Sequence, residues 1–587
     1  MSAYRLQQNE LRVLETDERE YLLEQLGREI DACTEVQKPY RNKVKKFLEL
    51  QEIWHISEID YQLRVRYEEF IKTKIAAVSW SVYLRGFDRI KQHFIREEMQ
   101  TLKGRYNGKL KYEDKILFLP YHPEQEIAML YSRAIDNKEE LVWDFSRKAS
   151  TVMKKQIFTA LHYIIRQYAN KKTRKRNMQA LRRFYDFCIK EQVEDIEAME
   201  LGLIQKFKGL SSEKSWQKDA MGVVDISRKA VFLEADEIHW NANVWYLDRF
   251  HFESTRINPS NPVHSLSFAE VSHIGNRRLL QQYMKYGIGI THLSISSLRN
   301  ELHIVRRFME YLDDRAIMPR DVCSIDAETI GDYFRSRDES GIKDESYNSE
   351  VMAVLRFFDY LHVKEKIARV PFCKEYYLKK TILKHHDRSV AEQVCMEILG
   401  KLHCFPEELR LMFLHLWGIG LRASEVCTLK GNAYYVQGRD AWIKVYQIKM
   451  KTYKQIPIPT ALYRLMKVFI KKYGIKAEDY VFQNKKGGAY AYNTFRSKMK
   501  KYCDKNQIAG GEYLFQSHAY RHTVATVFYD SGVSVQGVRD YLGHEYEEMT
   551  RQYIDYMPKK ISMASEEYFA EPENSLGIGV KRCRRGE

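Results

Sequence analysis

FPEELRLMFLHLWGIGLRASEVCTL, residues Phe405 to Leu429, is where the sequence changes grammar. Its apolar residues run densely from Leu409 to Leu421, so it reads as a buried helix that turns at Gly418-x-Gly420 into a second helix. Two charged residues sit just past that turn, Arg422 and Glu425, three apart on one predicted helix face. At that spacing an acid can hold a guanidinium in a fixed orientation.

Downstream, AWIKVYQIK from Ala441 is β-branched and aromatic and reads as a strand, with KQIPIP from Lys454 as its partner and MKTY between them. That places a hairpin inside a helical domain, with Lys449 near its turn, eight residues before Pro457. The segment from Tyr490 onward reads as helix again. It carries HAYRH, with His518 and Arg521 three apart, and then DYLGHEYEEMTRQYIDY from Asp540 to Tyr556. In that stretch four tyrosines (Tyr541, Tyr546, Tyr553, Tyr556) crowd around the Gly543-His544 pair. Upstream, Ser389 is placed to cap a helix through CMEILGKL.

The first three-fifths of the chain reads as helices of apolar period three to four, and the pattern recurs three times. A basic pair followed by Phe appears in KKFLEL at Lys45, RRFYDF at Arg182 and RRFMEY at Arg306. Each copy continues to a branched residue beside an acid, at Ile59-Asp60, Ile196-Glu197 and Ile325-Asp326. The expected organisation is a helical tail at 1–35, helical units at 36–100, 166–255 and 290–368, connectors at 101–165 and 256–289, a last domain at 376–560 and a tail at 561–587. The Pro- and Asn-containing stretches KILFLPYHPEQ and TRINPSNPVHS support the connectors. The fold class is mainly α with a small β-hairpin or sheet. Low glycine and proline contents, 28 and 12 of 587 residues, agree with long helices.

The formal charge is +16. Between Ala441 and Lys505 there are 16 Lys or Arg against 3 Asp or Glu, so most of the excess lies in one segment. Concentrated positive charge attracts polyanions, because neutralising phosphates releases condensed counterions. The nine cysteines are scattered with no CxxC pair, which argues for a reducing compartment and against a disulfide framework or a structural zinc site. There is no apolar signal core and no run of 18 apolar residues, so the expectation is a soluble, cytoplasmic protein without membrane contact. No Walker-type phosphate loop is present, which leaves an ATPase reading unsupported.

Either polar pair alone is ordinary on a solvated helix face. Together, GLRASE, the hairpin lysine, HAYRH and LGH followed nine residues later by a tyrosine resemble the tyrosine recombinases, the phage integrase family. The resemblance covers about Tyr376 to Lys560 and implies a mixed α+β catalytic domain. The third helical unit more loosely resembles the family's SAM-like core-binding domain, which with the catalytic domain clamps a duplex. Two further upstream units depart from the usual single one and are more like large transposon-encoded members.

The resemblance implies catalytic roles for Arg422, Lys449, His518, Arg521, His544 and Tyr553, with Glu425 and His522 behind them. Lys451 is the rival of Lys449, and Tyr556 of Tyr553. The implied chemistry is site-specific breakage and rejoining of DNA through a 3′-phosphotyrosyl intermediate, with no cofactor, metal or ATP, serving a mobile element. Two guanidiniums would hold the charge of a pentavalent phosphorane, and a phenol with a pKa near 10 would need a local base. The implied partners are double-stranded DNA, three further copies of the chain on two DNA sites, and in some systems a second recombinase. The stretch MASEEYF in the tail would dock on a neighbouring protomer or pack in cis. The competing expectations are a non-catalytic DNA-binding or architectural protein on a recombinase fold, and a carboxylate nuclease that requires magnesium.

Overall fold

The computed structural model describes residues 19–107, 115–131, 138–210, 214–314, 321–381, 389–545, 550 and 565. Two compact units form, one from residues 1–249 with 267–272 and the other from residues 250–266 with 273–587. Among the described residues no helix is long and apolar enough to cross a membrane.

The first unit holds two helical cores. In the first, α1 (Lys38–Leu50), α2 (Tyr61–Lys74) and α3 (Trp80–Gln100) close over Val44, Phe47, Tyr67, Ile71, Phe87 and Ile90. Asp60 starts α2 by accepting from the Leu63 amide at 2.7 Å, the usual service of an acid at an N-cap. The second core has a short antiparallel pair, β1 (Ile116–Phe118) and β2 (Val142–Asp144). Against it pack α4 (Thr151–Gln167), α5 (Lys171–Lys190), α6 (Leu201–Gly209) and α7 (Lys214–Glu234).

The second unit begins its bundle with α8 (Ile274–Gly289), followed by α9 (Ile295–Asp314), α10 (Ala327–Glu339) and α11 (Asp344–Val363). The three aligned phenylalanines, Phe47, Phe184 and Phe308, are all buried, as are Ile59, Ile196 and Ile325. Asp326 caps α10 as Asp60 caps α2, accepting from the Thr329 amide at 2.9 Å. Glu197 instead lies buried against His239. Two stretches read as connectors carry bundle helices: α4 starts at Thr151, and α8 occupies residues 274–289. Proline and asparagine mark only part of each stretch, and the remainder has a helix's apolar period.

The remaining domain holds α12 (Glu392–Gly400), α13 (Glu407–Ile419) and the short α14 (Ala423–Cys427). A three-stranded antiparallel sheet follows, β3 (Tyr434–Gln437), β4 (Asp440–Gln447) and β5 (Thr452–Ile458), in the order β3-β4-β5. Then come α15 (Thr460–Lys472), α16 (Tyr492–Lys505), α17 (Ala519–Asp530) and α18 (Val535–Leu542). The expected strand pair is present, but its turn is Ile448–Lys451, because Gln447 pairs with Thr452. Thr452 and Tyr453, read as turn residues, have the β-branched and aromatic side chains that suit a strand. Strand β3 was not anticipated. Helix α12 starts from Ala391, two residues past Ser389.

Candidate active site

Helix α13 ends at Gly420, and Arg422 becomes the N-cap of α14 rather than a residue within it. Glu425, the third residue of α14, accepts from the Arg422 amide at 2.9 Å and from Arg422 Nη1 at 2.8 Å. One carboxylate therefore fixes both the backbone and the guanidinium of the arginine. Burial acts to raise the Glu425 pKa, but the charges of Lys454, Arg521 and Arg422 outweigh it and hold the carboxyl below its usual range.

His518 stands at the N-cap of α17, so Arg521 falls in the first helical turn. Arg521 is fully buried; its Nη1 donates to the Gly420 carbonyl at 2.9 Å and its Nη2 to the Leu542 carbonyl at 2.6 Å. The third motif is thereby bonded to the backbone of the first and of the fourth. His518 is exposed, and its ring meets the buried His522 edge to face with centroids 5.3 Å apart.

Helix α18 is capped by Gly543 at φ +68, a left-handed conformation that suits glycine. A Cβ there would lie 2.3 Å from Gln447 Nε2, so close approach as well as conformation calls for glycine. His544 follows, buried, with Nδ1 2.8 Å from the Thr550 hydroxyl. Burial first, and then the charges of Arg521, Arg422, Lys454 and His518, push its pKa down to about 3. The ring is neutral at neutral pH and acts as a hydrogen-bonding group rather than a cation.

The hairpin contributes two different kinds of lysine. Lys449 and Lys451 lie exposed on the turn, and Lys451, at φ +56, donates to the His292 carbonyl at 3.0 Å. Lys454, which the motif reading passed over, points inward from β5: its Nζ lies 3.5 Å from Glu425 Oε2 and 3.3 Å from the Leu542 carbonyl. The signal was available in KTYKQIPI, where Lys454, Ile456 and Ile458 share the buried face of the strand. Gln447, from β4, donates to the Leu542 and Gly543 carbonyls at 3.4 and 3.0 Å.

The fold therefore brings Arg422, Glu425, Arg521 and His544 to one place, together with Lys454 and Gln447. Lys449 stays outside that cluster on the hairpin turn. Tyr541 packs edge to face on Phe528 at 4.9 Å, with its hydroxyl 3.4 Å from the Pro457 carbonyl, and burial raises its pKa. Tyr546, Tyr553, Tyr556 and the MASEEYF stretch lie outside the described residues, apart from Ser565. Among the described residues no group of three or more His, Cys, Asp or Glu side chains is arranged to hold a metal ion.

Residues 388–560, which hold all four motifs, match the sequence profile of the phage integrase family. This domain belongs to the phage integrase family. The chain is 26% identical over 328 residues to transposase B from transposon Tn554 of Staphylococcus aureus, a match covering 54% of this chain and 51% of that protein. It is 22% identical over 290 residues to the tyrosine recombinase XerA of Thermococcus onnurineus, covering 49% of this chain and 94% of that one. Thus the chain spans about half the length of the staphylococcal transposases it matches. A crystal structure of the XerH site-specific recombinase bound to palindromic difH substrate aligns with 51% of this chain and 91% of its own, with a TM-score of 0.40 and 16% identity. Outside the integrase domain's buried cluster, the basic residues between Ala441 and Lys505 point to solvent; Lys454 alone among them is buried.

Proposed function

We propose that this chain is a site-specific DNA recombinase that acts as the transposase or integrase of a mobile element. The observation that carries the reading is the meeting of Arg422, Arg521 and His544, from three distant motifs, within a strongly basic integrase domain. In this reading Arg422 and Arg521 bind the non-bridging oxygens of the scissile phosphate and stabilise the charge of the phosphorane. His544 donates a further hydrogen bond.

The Tyr553 hydroxyl attacks phosphorus as His518 takes its proton. The bond to the 5′ oxygen breaks, and that oxygen leaves with a proton from Lys449, or from Lys451 on the same turn. Attack by a 5′ hydroxyl of the partner strand on the phosphotyrosine reverses the chemistry and restores Tyr553. Each step exchanges one phosphodiester for another, so bond energy is conserved and neither ATP nor metal enters.

Exchange between two duplexes requires four protomers on two sites, in a cytoplasmic, nucleoid-bound assembly, with a second recombinase where the element encodes one. The two helical cores of the first unit either lengthen the footprint on DNA or bind partner proteins. The test is to express the wild type and Tyr553→Phe in cells carrying the flanking DNA, lyse in SDS with EDTA, and sequence DNA that stays attached. Attachment in the wild type alone is expected. Equal attachment in both moves the nucleophile away from Tyr553, with Tyr556→Phe tested next, and attachment in neither favours an architectural protein.

A further inference from the structure

Fifteen of the 16 basic residues between Ala441 and Lys505 face solvent wholly or in part, and the exception sits inside the catalytic cluster. The Lys454 side chain is only 6% exposed. A buried ammonium is costly unless paired and hydrogen-bonded, and the two partners of Lys454 belong to different motifs. Glu425, which it faces at 3.5 Å, is the same carboxylate that orients Arg422. The Leu542 carbonyl, at 3.3 Å, also receives Arg521 Nη2, and it is the last residue of the helix before Gly543 and His544. The negative end of α18 thus collects an ammonium and a guanidinium, an arrangement that its dipole favours. Gln447 adds a third donor from the neighbouring strand. Because Gln447 pairs with Thr452 at the base of the turn, Gln447 and Lys454 together hold the root of the loop that carries Lys449 and Lys451.

We infer that Lys454 is a positioning residue for strand cleavage, locking the hairpin to the two arginines and to His544 through Glu425 and the Leu542 carbonyl. Its effect on cleavage rests on the recombinase reading above; the mechanical coupling does not. The charged and titratable groups facing it are Glu425 from α14, Arg422 at that helix's N-cap, Arg521 from α17, and His544. Burial first, with Arg521 and Arg422 acting in the same direction and Glu425 opposing them, brings the Lys454 pKa down to about 8. The ammonium that joins the cluster is thus present below about pH 8 and lost above it.

Hydrogen exchange on the full chain, read by mass spectrometry, tests the coupling. In Lys454→Met, amides in segments 420–427, 444–454 and 535–545 should exchange about tenfold faster, with the bundle of residues 274–363 unchanged. In Gln447→Met, which leaves the ion pair in place, the faster exchange should be confined to 444–454 and 535–545. Unchanged exchange in either variant overturns the inference, and so does a uniform rise across the whole integrase domain, the mark of a core support rather than a coupling. On the DNA trapped by the wild type, Lys454→Met should bind with similar affinity but form at least tenfold less covalent product, and Lys454→Arg should restore product and remove the fall above about pH 8. Equal yields in wild type and Lys454→Met refute the positioning role. If the wild type traps no DNA, the recombinase reading fails, while the exchange data still decide the coupling.

Discussion

Substituting alanine at Gly543 perturbs the corner of the candidate site without removing any functional group. An L-residue at φ +68 sits in the left-handed region, at a cost of about 1–2 kcal/mol. The new Cβ would also lie 2.3 Å from Nε2, 2.7 Å from Oε1 and 2.8 Å from Cδ of Gln447. Gln447 must then swing away and give up its bonds to the Leu542 and Gly543 carbonyls, each contributing about 0.5–1.5 kcal/mol. The expected loss for Gly543→Ala is therefore about 2–5 kcal/mol, taking the two costs together. Gly438 supplies the control: it sits at φ +66 in the two-residue turn between β3 and β4, with nothing within 4 Å of a built Cβ. Gly438→Ala should show the conformational cost alone, about 1–2 kcal/mol. A chain with several cores does not unfold in one step, so the assay is a urea series with hydrogen exchange read in integrase-domain peptides. Equal destabilisation by the two substitutions would refute the claim that the Gly543 backbone is pressed against Gln447.

Two further outcomes follow from the same site. Replacing Arg422 with Lys keeps the charge but not the guanidinium that bonds Glu425 and, in the proposed function, a phosphate, so covalent product should fall by about 100-fold to 1000-fold, with DNA binding changed only slightly; full activity would remove Arg422 from the proposed chemistry. The His544 pKa is about 3 in the folded domain against an ordinary 6.5, so the unfolded chain binds the extra proton between those values and stability must fall as pH drops through that window. Urea midpoints at pH 7 and pH 5 should therefore draw closer together in His544→Asn than in the wild type, and an unchanged gap would show that the ring is not buried neutral.

What the sequence revealed and what it concealed differ by distance along the chain. Arg422 with Glu425 and His518 with Arg521 are three residues apart, so helical spacing made them visible, although each pair proved to start a helix rather than lie within one. The recurring phenylalanines were legible because core positions repeat with the helical period. Strand β3 was overlooked although YYVQ before Gly438 carries a strand's composition and a hairpin glycine. Lys454 and Gln447 are another matter, since they meet the Leu542 carbonyl 88 and 95 residues away. No local pattern encodes such a contact; a charged residue on the apolar face of a strand is the only trace it leaves. A lysine at a position that periodicity assigns to the core must find a buried acceptor or destabilise the fold, and in an integrase domain the acceptors within reach were those that already oriented the arginines.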